Sequence, residues 1–177
     1  MNIIAISGSL RKDSFNTALV RALQPLAPAG MQIEVVDINT LPMFNQDDEA
    51  AFPKEAQALK DKVAAADGVI FATPEYNRSI PGVLKNAIDW ASRPWGHNSF
   101  AGKAALTMGV SVGKIGTAVA QSHLRQILAY LDMQIVGQPE LYLGPAQTIF
   151  DGEGNITDTS AKESLVKALE ALASRVA

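Results

Sequence analysis

Short apolar runs alternate with stretches of helical period along almost the whole chain. Residues 2–7, "NIIAIS", are nearly all apolar, as a strand covered on both faces must be. The following "SFNTALVRALQPL" sets Phe15, Leu19, Leu23 and Leu26 at helical spacing, with Ser14 as N-cap and Pro25 limiting the far end. "MQIEVVDI", residues 31–38, predicts a second strand, and residues 53–66 a second helix with Ala56, Leu59 and Val63 on one face. A third strand over 68–73 is stopped by Pro74. "IPGVLKNAIDWAS" predicts a third helix, with Leu84, Ile88 and Ala91 on one face and Pro81 in its first turn. Residues 103–110 read as strand, 115–131 as helix, 134–136 as the start of a fifth strand and 160–175 as a closing helix.

Strands without a polar face, alternating with helices, predict one α/β domain over residues 1–177 with a parallel, doubly wound sheet. Two polar stretches, "SRPWGHNS" and "GQPELYLGPAQTIFDGEGNITD", read as loops long enough to shape a site or an interface. Ligands of such folds bind beyond the C-terminal ends of the strands, where the strand order switches. Residues 8–16, 74–79 and 109–116 fall at those ends.

The first of these, "GSLRKDSFN", is no dinucleotide fingerprint, because Leu10 and Asp13 stand where glycines are needed. The later "GVSVGKI" has three residues between Gly109 and Gly113 instead of four, and Ile115 where a magnesium-binding hydroxyl belongs. The turn does offer a cup for a single terminal phosphomonoester. Amides near residues 14–16 begin a helix without internal partners, Ser9, Ser14, Asn16 and Thr17 add donors, and Arg11 adds a charged fork. An ordinary Ser-capped helix is the plainer reading of the same residues. In the second segment Glu75, Tyr76 and Asn77 follow Pro74, where a planar heterocycle could meet backbone amides and an aromatic ring. A Pro-bounded turn is the alternative there. Gly109, Ser111 and Gly113 form a third wall of small residues, or else a flexible connection.

Composition narrows the classes. A formal charge of -3 and no basic run give no footprint for nucleic acid. The chain has no cysteine, which removes disulfides, thiolate catalysis and thiolate metal sites together. His97 and His123 do not make a metal cluster, and neither a Ser-His-Asp set nor a paired-carboxylate site is evident. No run approaches the ~18 apolar residues of a membrane span, and "MNIIAISGS" lacks the basic region and length of a signal peptide. A soluble cytoplasmic protein with no membrane or nucleic-acid partner is the expectation. His123 shares a four-residue spacing with Ile115, Val119 and Ile127, which predicts a packed or interfacial helix face. "DGEGN" lacks the acidic ladder of a calcium loop and reads as a surface turn.

"GSLRKDSFN", "TPEYNRSIPGVLKNAIDWASR" and "HLRQIL", in this order and spacing, resemble the NADPH-dependent FMN reductase family, especially its bacterial chromate/quinone reductase branch. The resemblance covers essentially the whole chain. It implies a flavodoxin-like three-layer α/β sandwich, with a five-stranded parallel sheet in the order 2-1-3-4-5 and a noncovalently bound FMN. It implies further that Ser9, Arg11, Ser14, Asn16 and Thr17 hold the FMN phosphate. Pro74, Glu75, Tyr76 and Asn77 would line the isoalloxazine, Tyr76 and Asn77 helping to position it, and Ser111 would sit near the ribityl or ring side. The implied reaction takes hydride from NADPH or NADH through FMN to a small-molecule acceptor (a quinone, an azo or nitro compound, flavin or chromate) in a ping-pong cycle. No catalytic side chain is then required, because the cofactor carries the electrons.

A homodimer or dimer of dimers is implied as well, with Arg125 as an interface candidate; the sequence does not decide whether Trp90, Trp95 and His97 line the partner side of the flavin pocket. One departure stands out. Thr117, Ala118 and Val119 follow Gly116 where many members of the branch carry a second glycine, a small residue and an arginine. Nicotinamide preference and acceptor selectivity are therefore open at this stage. The rival reading is a flavodoxin-type electron carrier that serves protein partners. Such carriers gain from a strongly acidic docking face, which a charge of -3 does not indicate.

Overall fold

The computed structural model describes residues 1–176. Strands β1 (Asn2–Ser7), β2 (Gln32–Val36), β3 (Gly68–Ala72) and β4 (Ala104–Val110) alternate with helices α1 (Phe15–Arg21), α2 (Lys54–Ala65), α3 (Gly82–Ala91) and α4 (Ala118–Tyr130). After them come β5 (Gln134–Ile135), β6 (Leu141–Leu143), α5 (Ala146–Ile149) and α6 (Thr159–Val176). All pairings in the sheet are parallel, in the order β2-β1-β3-β4-β5, as the flavodoxin-like arrangement requires.

The fifth position is shared by two segments. β5 pairs with Ala104 and Ala105, and β6 pairs further along the same strand with Met108, Gly109 and Val110. The polar stretch after residue 136 is thus not loop throughout, because buried Leu141 and Leu143 flank half-buried Tyr142 in strand alternation. Three residues between two prolines carry too short a period to be read from the sequence alone.

Alternation also explains the layers. Ile3, Ala5, Ile70, Ala72, Leu106 and Met108 face one side, where Leu19 of α1 and Leu165, Leu169 and Leu172 of α6 cover them. Their neighbours Ile4, Ile6, Val69 and Phe71 face the other side, against Leu59 of α2, Leu84 and Ile88 of α3, and Leu124 and Leu128 of α4. A strand covered on both faces leaves no room for a polar row, hence its continuous apolar run.

The helix starts adjust two expectations. Pro81 occupies the N-cap of α3 in extended conformation, one residue before the first turn. α4 begins at Ala118 and not at residue 115, because Gly116 (φ 61°) and Thr117 (φ 66°) are left-handed and cannot continue a right-handed helix. Trp90 is fully buried in α3; its Nε1–H donates to the Pro42 carbonyl at 2.8 Å, and its ring meets Phe44 and Phe52 edge-on. That places Trp90 in the core, a position the sequence left undecided. Among the described residues no helix is long and apolar enough to cross a membrane, and no cluster of three His, Cys, Asp or Glu is arranged to hold a metal.

β1 lies between β2 and β3, so the strand order switches there and loops diverge around a crevice. The crevice is drawn tight: the Gly8 N–H donates to the Ala72 carbonyl at 2.8 Å. Gly109, at the end of β4, packs against the Thr73 carbonyl and Thr117 Oγ1, where a Cβ would collide with both. Gly109→Ala should therefore destabilise the fold by ~1–3 kcal/mol through overpacking, read as a lower urea midpoint. An unchanged midpoint would show that the β4 end and Thr117 separate freely.

Candidate functional site

The loop after β1 and the first turn of α1 form one wall of a cavity of about 180 Å³, with Ser9, Arg11, Ser14 and Asn16 among its lining residues. Ser14 caps α1, its Oγ accepting from the Thr17 N–H at 3.4 Å, and Ser9 Oγ accepts from the Arg11 N–H at 3.3 Å. Both hydroxyls use a lone pair in these bonds, so each keeps its own proton to donate to an anion. The Arg11 guanidinium is held at the mouth, where Nε donates to the Asp13 carbonyl at 3.1 Å and the group lies 6.0 Å over the Phe15 ring. The first-turn N–H groups of Phe15 and Asn16 have no intrahelical acceptor.

Asn16 and Thr17 take other roles. The Asn16 side chain, 3% exposed, donates through Nδ2 to the Val110 carbonyl and accepts at Oδ1 from the Val110 N–H, both at 3.0 Å. Each polar atom of its amide thereby has a partner within the protein, while Nδ2 keeps a second N–H and the backbone N–H has no intrahelical acceptor. Thr17 Oγ1 pairs with Ser7 Oγ at 2.9 Å and faces a neighbouring, larger cavity.

Pro74, Glu75 and Tyr76 form the opposite wall. Tyr76 and Ser79 close a two-residue turn by exchanging N–H···O bonds of 3.0 Å, with Asn77 (φ 51°) and Arg78 (φ 63°) both left-handed between them. Asn tolerates that conformation, whereas Arg adopts it rarely, so the turn is held from outside. The fastening is Glu75, whose side chain is only 10% exposed. Its Oε1 accepts from Arg78 Nη1 at 2.9 Å, and its Oε2 accepts from the N–H groups of Val119 and Ala120, both at 3.1 Å. Thr117 makes no side-chain cap for α4, so the Glu75 carboxylate supplies one from another loop. Ser79 Oγ, 3.1 Å from His123 Nδ1, adds a second link. Tyr76 is half-exposed and lines the cavity, and Asn77 beside it is exposed.

Ser111, Val110 and Val112 complete the enclosure. Ser111 Oγ donates to the Gly113 carbonyl at 2.8 Å and accepts from the Gly116 N–H at 3.2 Å, so its hydroxyl shapes its own loop. Gln121, fully buried, donates to Thr117 Oγ1 at 3.0 Å and to the Leu141 carbonyl at 2.9 Å, tying that loop to β6. Sequence reading passed over Gln121; a glutamine one helical turn from Thr117 was its only signal.

The remaining singled-out residues sit elsewhere. Trp95 is 77% exposed and lines a groove of about 620 Å³ with Tyr130, on the α3–α4 side. Lys60 holds that loop by donating to the carbonyls of Ala91 and His97 and to Ser99 Oγ; burial pushes its pKa down. His123 is exposed and Val119 and Ile127 are half-buried, while Ile115 precedes the helix, so this face stays open within the chain. Arg125 donates from Nη1 to the Val136 carbonyl at 3.0 Å, while its buried Nε and Nη2 have no acceptor among the described residues. Burial, and then a hydrogen bond to Glu140, raise the Tyr142 pKa. In "DGEGN" the Asp151 carboxylate closes the turn on Asn155 and Glu153, and the Asn155 side-chain bond leads in lowering its pKa.

This arrangement has known counterparts. A sequence profile described as NADPH-dependent FMN reductase matches residues 1–148. The chain belongs to the NADPH-dependent FMN reductase family. Within it, a 2-hydroxy-1,4-benzoquinone reductase of a Burkholderia species is 50% identical over 93% of this chain and 90% of that protein. An NAD(P)H-dependent FMN reductase of Pseudomonas aeruginosa is 46% identical over 97% of this chain and 93% of its own length. Among solved structures, a flavoenzyme NAD(P)H:(acceptor) oxidoreductase from Paracoccus denitrificans superposes with a TM-score of 0.92 at 38% identity, covering 99% of this chain and 96% of that one.

For a reductase of this family the donor set fits a flavin mononucleotide. Two hydroxyl protons, an arginine and unpartnered first-turn amides suit a phosphate, and no carboxylate oxygen is left over to repel it once Glu75 is engaged by α4 and Arg78.

Truncating Glu75 to Ala would orphan the Val119 and Ala120 N–H groups and release the strained Asn77–Arg78 turn. We expect ~1–3 kcal/mol of lost stability by chemical denaturation, with Glu75→Gln intermediate because its one oxygen can still cap α4. Equal stability of Glu75→Ala and the parent would show that the cap contributes nothing.

Proposed function

We propose that the protein is an FMN-dependent NAD(P)H oxidoreductase that passes the electrons of NADPH or NADH to a quinone or related small acceptor. The observation that carries this reading is the junction, at the β1/β3 switch point, of an anion cup with a rigid backbone shelf. Relatives sharing half the sequence act as quinone and FMN reductases. Residues 1–177 serve as one FMN-binding unit.

FMN bound here supplies the two-electron chemistry by accepting and releasing hydride. The chain's own residues bind and orient. Ser9, Ser14, Arg11 and the N–H groups of Phe15 and Asn16 hold the phosphate. A volume of about 180 Å³ is below the range of an enclosing ligand pocket. The cup would therefore take only the phosphate end, and Pro74, Glu75 and Tyr76 would hold the ring system. The Tyr76 N–H is already committed to the Ser79 carbonyl, so Asn77 and Arg78 are the turn residues with free N–H groups for developing negative charge. Ser111 and Val112 close the inner end, and the open face admits donor and acceptor in turn. Nothing in the site has to move a proton on a side chain.

We further propose that the working form is a homodimer or dimer of dimers. Trp95 and Tyr130, 77% and 75% exposed, present large rings on one side of the molecule, and Arg125 keeps two buried nitrogens without acceptors in the described chain.

Anaerobic stopped-flow mixing of the FMN-loaded protein with NADPH or NADH should bleach the flavin absorbance, and a quinone should restore it. Failure of both nicotinamides to bleach it would leave only the electron-carrier reading. Arg11→Ala should weaken FMN affinity at least tenfold, as loss of charge-assisted hydrogen bonds predicts, with much less effect on hydride transfer in the loaded fraction. Fluorescence titration of FMN checks this; equal affinity in variant and parent would remove Arg11 from the phosphate site.

A further inference from the structure

Among the described residues that line the cup and its opposite wall, Glu75 is the only acid and Arg11 the only cation. Arg11 belongs to the phosphate end, so the ring end faces a single ionisable acid. A carboxylate is a poor neighbour for a cofactor that gains negative charge on reduction. It cannot turn away, because Oε1 accepts from Arg78 Nη1 at 2.9 Å and Oε2 from the Val119 and Ala120 N–H groups at 3.1 Å. The Glu75 side chain is 10% exposed and that of Arg78 66%, so water screens the carboxylate much less than its partner.

The local structure does not by itself require a charge here. Neutral residues cap helices well, and Ser14 does so for α1. The turn from Tyr76 to Ser79 is already closed by two backbone bonds and linked to α4 through His123. What a charge adds is a field. The start of α4 carries roughly half a positive charge from its backbone, and Arg78 adds a whole one beside the same turn. Left free, both would attract the negative charge that reduction places on the ring, and the electrons would be held. Glu75 engages both.

We infer that the Glu75 carboxylate sets the reduction potential of bound FMN, holding it low enough for the electrons to pass on to an acceptor. The inference rests on the FMN reading of the site and adds no reaction step. Glu75 moves no proton; it acts through its fixed charge. This role differs in sign from a merely structural one. Loosening the turn would misalign the free N–H groups of Asn77 and Arg78 and disfavour the reduced cofactor, whereas removing the charge favours it.

The test is anaerobic titration of the FMN-loaded protein with dithionite against a reference dye of known potential, with no nicotinamide present. Glu75→Gln keeps an oxygen for α4 and loses the charge. It should shift the two-electron equilibrium toward reduced FMN at least tenfold, about 30 mV upward. Arg78→Gln should shift it the other way, by less because Arg78 is better screened, and the double variant should lie between the two. Glu75→Asp keeps the charge on a shorter arm and should produce no upward shift. An unchanged or lowered potential in Glu75→Gln, or an equal rise in Glu75→Asp, would overturn the assignment. Should Glu75→Gln fail to retain FMN, Arg78→Gln decides alone, and an unchanged or raised potential there overturns it. The expected shifts in a protein whose flavin neither nicotinamide reduces would uphold this role of Glu75 and overturn the reductase reading; a parent that takes up no FMN would overturn both.

Discussion

Asn16 and Val110 exchange two hydrogen bonds in the interior, and the functional end of the molecule depends on that tie. Asn16 belongs to the first turn of α1, whereas Val110 ends β4, two strands away from β1 in the sheet. The pair therefore reaches across the end of β3 and fixes the anion cup against the loop that begins at Ser111. A single buried amide can do this because both its donor and its acceptor meet the same backbone residue. Loss of either bond would strand a buried polar group. Glu75 performs the matching task on the other side, joining the β3 loop to the start of α4. The three loops at the strand ends are thus fastened to one another by side chains as well as by the sheet.

Much of this fold was legible because buried parallel strands leave continuous apolar runs and the helices between them leave a clear period. Ile3 to Ile6, and Val69 to Phe71, could be little else once helices flanked them. What escaped was local and short-ranged. Leu141–Leu143 is a strand because β4 offers a free edge there, which no periodicity of three residues can announce. The start of α4 escaped because two successive left-handed residues depend on a tertiary cap from Glu75 and on the space that Gly109 leaves. The place of Trp90 stayed open because an amphipathic helix does not say whether an aromatic residue finds a carbonyl partner in the core, here Pro42.

The site was legible as a gathering of residues but not as a distribution of roles. Asn16, Thr17, Glu75 and Ser111 are polar and near the crevice, which in sequence reads as a set of ligand donors. In the structure each is engaged within the protein: Asn16 by Val110, Thr17 by Ser7, Glu75 by α4 and Arg78, and Ser111 by Gly113 and Gly116. Ser9, Ser14 and Arg11 also make internal bonds but keep further donors, and backbone amides at the start of α1 have no intrahelical acceptor. Side-chain identity alone cannot separate these classes, because the separation is made by partners distant in sequence.

That distribution suits chemistry in which a cofactor carries the electrons. Hydride transfer demands that two rings be held face to face within a fraction of an ångström, and it demands no acid or base from the protein. A site built for it gains by committing its polar side chains to rigidity, because a loop fixed by buried hydrogen bonds positions its backbone donors without reorganising as charge develops. A hydrolase of the same fold would need the opposite, with a nucleophile and a base left unpaired and close together. Here Lys12 and Arg21, without carboxylate partners among the described residues, stand in the adjoining cavity. A rigid, internally satisfied shelf thus adjoins a trough whose cations have no carboxylate partner among the described residues.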